Sequence, residues 1–235
     1  MSSSMETEFP IEVIRTDRKK SASIKIVGGQ VQVVVPKNLS DKRLQELIRK
    51  KIPWIRERFR IQSEVIPVKL KEYVSGDSFT YLGRNYRLKL TPNGSDEIKL
   101  KGGRLELGVI KDSADHQGYS SIKEKLILWY RNHAEQRLKE KTRRYAKILG
   151  VEPKSVSVKD YKSRWGSCSI HGDISYNWRV IIAPHRIVDY VVVHELCHLK
   201  HPNHSPAYWK SVKREISDYE ISRQWLKEHG WELVV

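Results

Sequence analysis

His194-Glu195-Leu196-Cys197-His198-Leu199-Lys200-His201-Pro202-Asn203-His204 places four of the chain's nine histidines inside eleven residues. His194 and His198 stand four apart, so on an α-helix they share one face and can grip a single ion. Glu195 falls about 100° round from His194 and about 60° from His198 at 3.6 residues per turn, within reach of a water beside that ion. Pro202-Asn203 ends the helix, because proline cannot continue it and asparagine tolerates a left-handed turn. That turn can swing His204 back as a third ligand, with Glu215 and His201 as competing choices. Three neutral imidazoles and a water make a site for one Zn2+ with an open position, where Glu195 can take the proton of the water. With nine His and 18 Glu in the chain, a chance His-Glu-x-x-His is expected about 0.03 times. Solvated histidines on an ordinary surface helix are therefore a poor explanation.

The helix that carries this segment is expected to start near Pro184 and to run to about Leu199, with the 189–193 run Asp-Tyr-Val-Val-Val packed into a core. Ser205-Pro206 opens a further helix, and Trp225-Leu226 sits in a last one that stops at Gly230. Before the metal segment, Val156 and Val158, a turn at His171-Gly172-Asp173, and the returning Ile174, Tyr176 and Trp178 read as a hairpin. A long helix over roughly 120–149 closes at Gly150. Residues 9–35 and about 65–107 alternate as strands, with Gly28-Gly29 and Gly102-Gly103 as turns. Between them lies a helical stretch from Ser40-Asp41 that Pro53 should break or kink. The polar 111–118 segment is the best linker. The expected division is a β-rich lobe with one helical stretch over 9–112 and a catalytic domain over 118–235, in an α+β fold.

Lys162-Ser-Arg-Trp-Gly-Ser-Cys-Ser, Tyr176-Asn-Trp-Arg, the histidine segment and Ser205-Pro-Ala-Tyr-Trp together resemble the YgjP-like zinc metallopeptidase family, and more loosely SprT-like and minigluzincin proteins. The close resemblance covers about 151–212. A looser one, through Tyr81-Leu-Gly-Arg-Asn-Tyr and Trp129-Tyr-Arg, covers much of the rest. It implies a minigluzincin-like core in which a metal-binding helix lies beside a short sheet, preceded by a β-rich N-terminal lobe. It also implies that His194, His198 and His204 are ligands and that Glu195 is the general base. Metzincins share the histidine spacing but carry glycine where His201 stands, and a downstream methionine turn; the only methionines here are Met1 and Met5. Gluzincins take a third ligand from a glutamate on a following helix, which is where Glu215 and Glu220 fall.

Around the site, Arg164 can bind a substrate carboxylate or phosphate bidentately, or can be held in an ion pair with Asp189 or Asp173. Tyr176 and Tyr208 can donate to a developing oxyanion, although packing is the more ordinary role for each. Asp189 can accept from the far side of a ligand imidazole. Cys197 points off the histidine face and Cys168 is a poor nucleophile beside a metal, while Trp165, Trp178 and Trp209 read as anchors of the metal helix.

The chain has 235 residues, 44 Lys+Arg against 28 Asp+Glu and a formal net charge of +16. Its 39% hydrophobic content excludes a disordered tail. Two cysteines exclude a disulfide framework, no run approaches the roughly 18 apolar residues of a membrane span, and the polar N-terminus is not expected to be a signal peptide. A cytoplasmic setting is expected. The charge, 14 basic against 7 acidic over 1–60 and 9 against 3 over 120–149, can attract polyanions, including nonspecific nucleic acid. Three functional readings follow: a zinc-dependent peptidase acting on peptide or protein, a metal-dependent nucleoside-triphosphate pyrophosphatase, and a nucleic-acid-associated protease.

Overall fold

Val31, Val33 and Val35 alternate along one strand and are fully buried, because their shared face is closed by an amphipathic helix. In the computed structural model, which describes residues 9–18, 21–27, 30–64, 71–92, 94–109 and 116–235, that strand is the centre of a three-stranded sheet. β1 (Ile11–Thr16) runs parallel to β3 (Gln30–Pro36), and β2 (Ser23–Val27) pairs antiparallel on the other side of β3. The Gly28-Gly29 turn lies outside the described residues, but Val27 pairs with Gln30 on either side of it. α1 (Asp41–Glu64) lays Leu44, Ile48 and Ile55 on the valines. It continues through Pro53 without the expected break. The carbonyl that loses its partner there belongs to exposed Arg49, where water can take the bond.

The chain divides into two compact units at 69/70, not in the 111–118 segment. Of that segment, 111–115 lies outside the described residues. The expected boundary fails because the second set of strands shares its core with the long helix that follows it. β4 (Ser78–Tyr81), β5 (Arg84–Pro92), β6 (Lys99–Lys101) and β7 (Arg104–Val109) form a sheet of order β4-β5-β7-β6. Its Phe79, Tyr81, Leu88, Leu105 and Leu107 join Leu126, Trp129, Tyr130 and Leu138 of α2 (His116–Leu149) in one apolar cluster. The Tyr130 hydroxyl donates to the Thr80 carbonyl at 2.7 Å. α2 ends in a Schellman closure. Gly150 takes φ +63°, its N–H donates to Lys147, and the Val151 N–H donates to Ala146.

The third sheet corrects the expected hairpin. β8 (Ser155–Lys159), which carries Val156 and Val158, runs parallel to β10 (Asp173–Asn177). The true hairpin joins β9 (Gly166–Cys168) to β10, with Gly172 at φ +84° in its turn. The order is β8-β10-β9, so β9 is an edge strand. A short 3-10 turn, Trp178–Ile182, then leads into α3 (His185–Cys197), with Pro184 as its N-cap residue. α4 (Pro206–Glu215) starts on Ser205, whose hydroxyl accepts from the Tyr208 N–H, and α5 (Tyr219–His229) ends at Gly230. No helix among the described residues is long and apolar enough to cross a membrane.

The β4–β5 turn holds the start of α3. The Leu82 and Gly83 N–H groups donate to the carbonyls of Ile181 and Ile182 at 2.8 and 3.2 Å. Gly83 sits at φ +78°, and a Cβ there would meet the Pro184 Cα at 2.8 Å. Both the backbone conformation and the space exclude a side chain. Gly83→Ala is expected to cost about 1–3 kcal/mol, read as a lower urea midpoint at unchanged m-value; an unchanged midpoint would refute this docking role.

Candidate metal centre

Tyr190 to Val193 and Leu196 bury the inner face of α3, which leaves His194 and His198 on the flank that faces outward beside β9. α3 ends at Cys197, one residue short of His198. His198 takes αR geometry as the C-cap, so it still stands one turn above His194. The chain then turns through Pro202-Asn203, and Ser205 caps α4. His204 arrives opposite the pair.

His194, His198 and His204 bring one ring nitrogen each within 4.8 Å of one another, and among the described residues they are the group of side chains that could hold a metal ion. The Nε2 atoms of His194 and His204 are 3.3 Å apart. Two nitrogens on one tetrahedral ion at about 2.0–2.1 Å stand about 3.3–3.4 Å apart, so a shared cation fits this separation. The protonation states of His194 and His198 suit a ligand role. Burial, then the neighbouring rings of His198 and His204, pushes the His194 imidazole down to about 3, which keeps it neutral with a lone pair to give. Burial also lowers His198. The His198 Nδ1–H can donate to the His201 carbonyl at 3.1 Å, which leaves Nε2 free for an ion.

Neither competing ligand joins the cluster. The His201 ring lies 3.1 Å from the Ser211 hydroxyl, and Glu215 pairs with Arg214. The third imidazole is held by a stack that the sequence did not announce. His204 lies flat on Trp209 (centroids 5.4 Å, 19°), and Trp209 lies flat on Tyr219 (5.0 Å, 17°). Trp209 thus links the site to the core, against which it packs, while Trp178 is buried within it.

Glu195 is 5% exposed and burial pushes its carboxyl up to about 8, against the pull of Arg164. A cation on the imidazoles acts in the same direction as Arg164 and favours the carboxylate. Gly166 of β9 packs directly on this side chain: a Cβ at Gly166 would lie 2.5 Å from Oε1. The glycine is what lets the edge strand approach the carboxyl so closely.

The structure places the three remaining candidates as follows, with packing, the more ordinary role, holding for both tyrosines. Tyr208 is fully buried and its hydroxyl donates to the His194 carbonyl at 3.0 Å, so it braces α3 instead of facing an oxyanion. Tyr176 is equally buried, with its hydroxyl 3.0 Å from that of Thr142. Asp189 holds Lys141 at 2.6 Å. The neighbour of the His194 Nδ1 atom is instead the Tyr190 hydroxyl at 3.5 Å. Both thiols are unbridged. Burial raises Cys197 to about 11 and also raises Cys168, which keeps both as thiols.

Arg164 does not take either expected ion pair, since Asp173 is engaged by Ser155 and Ser169 and Asp189 by Lys141. It lines a cavity of about 330 Å³ that opens onto His194 and Glu195. Trp165, Tyr190 and Leu226 supply apolar wall, and Arg223 and Lys227 of α5 supply further charge. The sequence reading missed Arg223 and Lys227. Their i, i+4 spacing puts them on one helical face, which was the available signal.

The chain matches the family described as YgjP-like, metallopeptidase domain, over residues 20–229. It belongs to the YgjP-like metallopeptidases. The match runs through both compact units, so this YgjP-like chain carries the family sequence well beyond the histidine segment. Among solved structures, the crystal structure of the metallopeptidase zymogen of Pyrococcus abyssi abylysin is similar, at 23% identity and a TM-score of 0.32, covering 37% of this chain and 93% of that one. The comparison with curated proteins gives no match. Membership of a metallopeptidase family implies a metal ion, and the three converging imidazoles fit one.

Proposed function

We propose that this YgjP-like chain is a zinc-dependent metallopeptidase in which His194, His198 and His204 hold one ion and Glu195 is the general base. The observation that carries the reading is the meeting of three imidazole nitrogens within 4.8 Å beside a buried carboxyl. Zinc suits three imidazoles with no carboxylate among them, and when bound it supplies a Lewis acid that acidifies water and polarises a carbonyl. Glu195 takes the proton of the attacking water and returns it to the leaving amine. Gly166 keeps one wall against that carboxyl, and the edge strand β9 offers backbone groups to which an extended peptide can pair. The unbridged cysteines accord with a reducing cytoplasm.

The second reading, hydrolysis of nucleoside triphosphates, is favoured by one observation: Arg164, Arg223 and Lys227 all line the cavity. Zinc-loaded wild type and Glu195→Gln should be assayed side by side on an unstructured protein and on a triphosphate panel. The expected result is protein cleavage by the wild type alone. Triphosphate hydrolysis that depends on Glu195, without protein cleavage, would replace the first reading by the second.

A further inference from the structure

The cavity beside Glu195 has a charge balance that hydrolysis of a neutral peptide bond does not call for. Three cations line it, Arg164 from the segment before β9 and Arg223 and Lys227 from α5, against a single acid, Glu195 itself. Among the described residues none of the three is in an ion pair. The two guanidiniums are held instead by ring faces, Arg164 over Tyr161 (5.6 Å to the centroid) and Arg223 over Trp209 (5.1 Å). An arginine held by its face keeps its N–H groups unspent at the edge, in the fork that matches an oxyanion bidentately. Holding it this way also removes part of the ordering cost that a free side chain meets on binding. Trp209 is the same ring that carries His204, so the anion-reading group and the metal-facing imidazole share one support.

The rest of the lining decides which anion fits. Trp165, Tyr190, Val191 and Leu226 make the walls apolar. The volume of about 330 Å³ sits at the small end of ligand pockets, which run from about 300 to 1,000 Å³. Among the described residues no cluster of carboxylates is present to hold the magnesium that accompanies a nucleotide triphosphate. A small, apolar pocket with unspent arginine and lysine donors suits one residue of a peptide that bears a carboxylate.

We propose that Arg223 and Lys227, together with Arg164, form a carboxylate-binding subsite that selects peptides with an anionic group next to the scissile bond. The inference rests on the metallopeptidase reading of the same site and deepens it. The carboxylate has two sources, the free C-terminus of a short peptide or an Asp or Glu side chain, and both present the same two oxygens to the fork.

The test reads binding, not turnover. Zinc-loaded full-length Glu195→Gln protein is titrated calorimetrically with a tripeptide ending in phenylalanine, as free acid and as carboxamide. A second, carboxamide-capped pair differs by glutamate against glutamine at the last residue. The carboxylate form of at least one pair should bind about tenfold more tightly, as a charge-assisted hydrogen bond outweighs a neutral one. Preference in the first pair assigns a C-terminal carboxylate, and preference in the second a side-chain one. Arg223→Gln with Lys227→Gln should abolish the preference at unchanged zinc content, and Lys227→Gln alone should reduce it should the double variant fold poorly. Equal binding within both pairs overturns the proposal. So does a preference that survives in the variants, since Arg223 and Lys227 would then not be what reads the carboxylate. Inorganic triphosphate that competes with the free acid and binds more tightly than it also overturns the choice of carboxylate. Protein cleavage by wild type against Glu195→Gln remains a separate readout, so loss of the peptidase reading and loss of the subsite are told apart.

Discussion

Glu195→Gln is expected to lower turnover by about 10²–10⁴-fold while the protein still holds one zinc ion. General-base catalysis contributes a factor of that order, and glutamine keeps the shape of the side chain but cannot take a proton. The variant also separates chemistry from folding. The Glu195 carboxyl is buried and its pKa is raised by that burial, so replacing it with a neutral amide removes a charge that the metal-free fold disfavours. The thermal midpoint of the metal-free variant should therefore be at or above that of the wild type. Activity within threefold of wild type, at equal zinc content, would place the base on another residue.

The second large effect is on metal binding. Zinc analysis should give one ion per wild-type chain and close to none for His194→Ala, whereas His201→Ala and Glu215→Ala should both retain it. The His201 ring sits against Ser211 and the Glu215 carboxylate against Arg214, away from the three converging nitrogens. Because an ion bound to the folded state stabilises it by mass action, saturating zinc at about 1,000 times the dissociation constant adds about 4 kcal/mol to the wild type. A calorimetric scan with and without chelator should show that increment in the wild type and lose it in His194→Ala. Retention of the ion by His204→Ala together with its loss in Glu215→Ala would move the third ligand to α4.

The pairing of His194 with His198 was legible because helical spacing fixes it, whereas the return of His204 depends on the exit turn, which left Glu215 and His201 open as alternatives. Glu195 was legible from the same helical spacing. What the sequence concealed lies where contact is made across long separations. Tyr208 and Tyr176 have hydroxyls that suggest chemistry, but their hydroxyls are taken up by the His194 carbonyl and by Thr142. Asp189 is at a plausible helical distance from His194, yet its partner is Lys141 on α2, 48 residues earlier. The hairpin turn at His171-Gly172-Asp173 was legible, but its first strand was misassigned to Val156 and Val158, because the parallel pairing of β8 with β10 has no local turn to mark it. The division between units fell elsewhere because alternating strands do not say which helix covers them.

The distribution of the site along the chain keeps its two parts on separate elements. All three imidazoles lie between His194 and His204, while the wall that bears Arg223 and Lys227 belongs to α5. Substitutions on α5 can therefore reshape the cavity without replacing any of the three converging nitrogens.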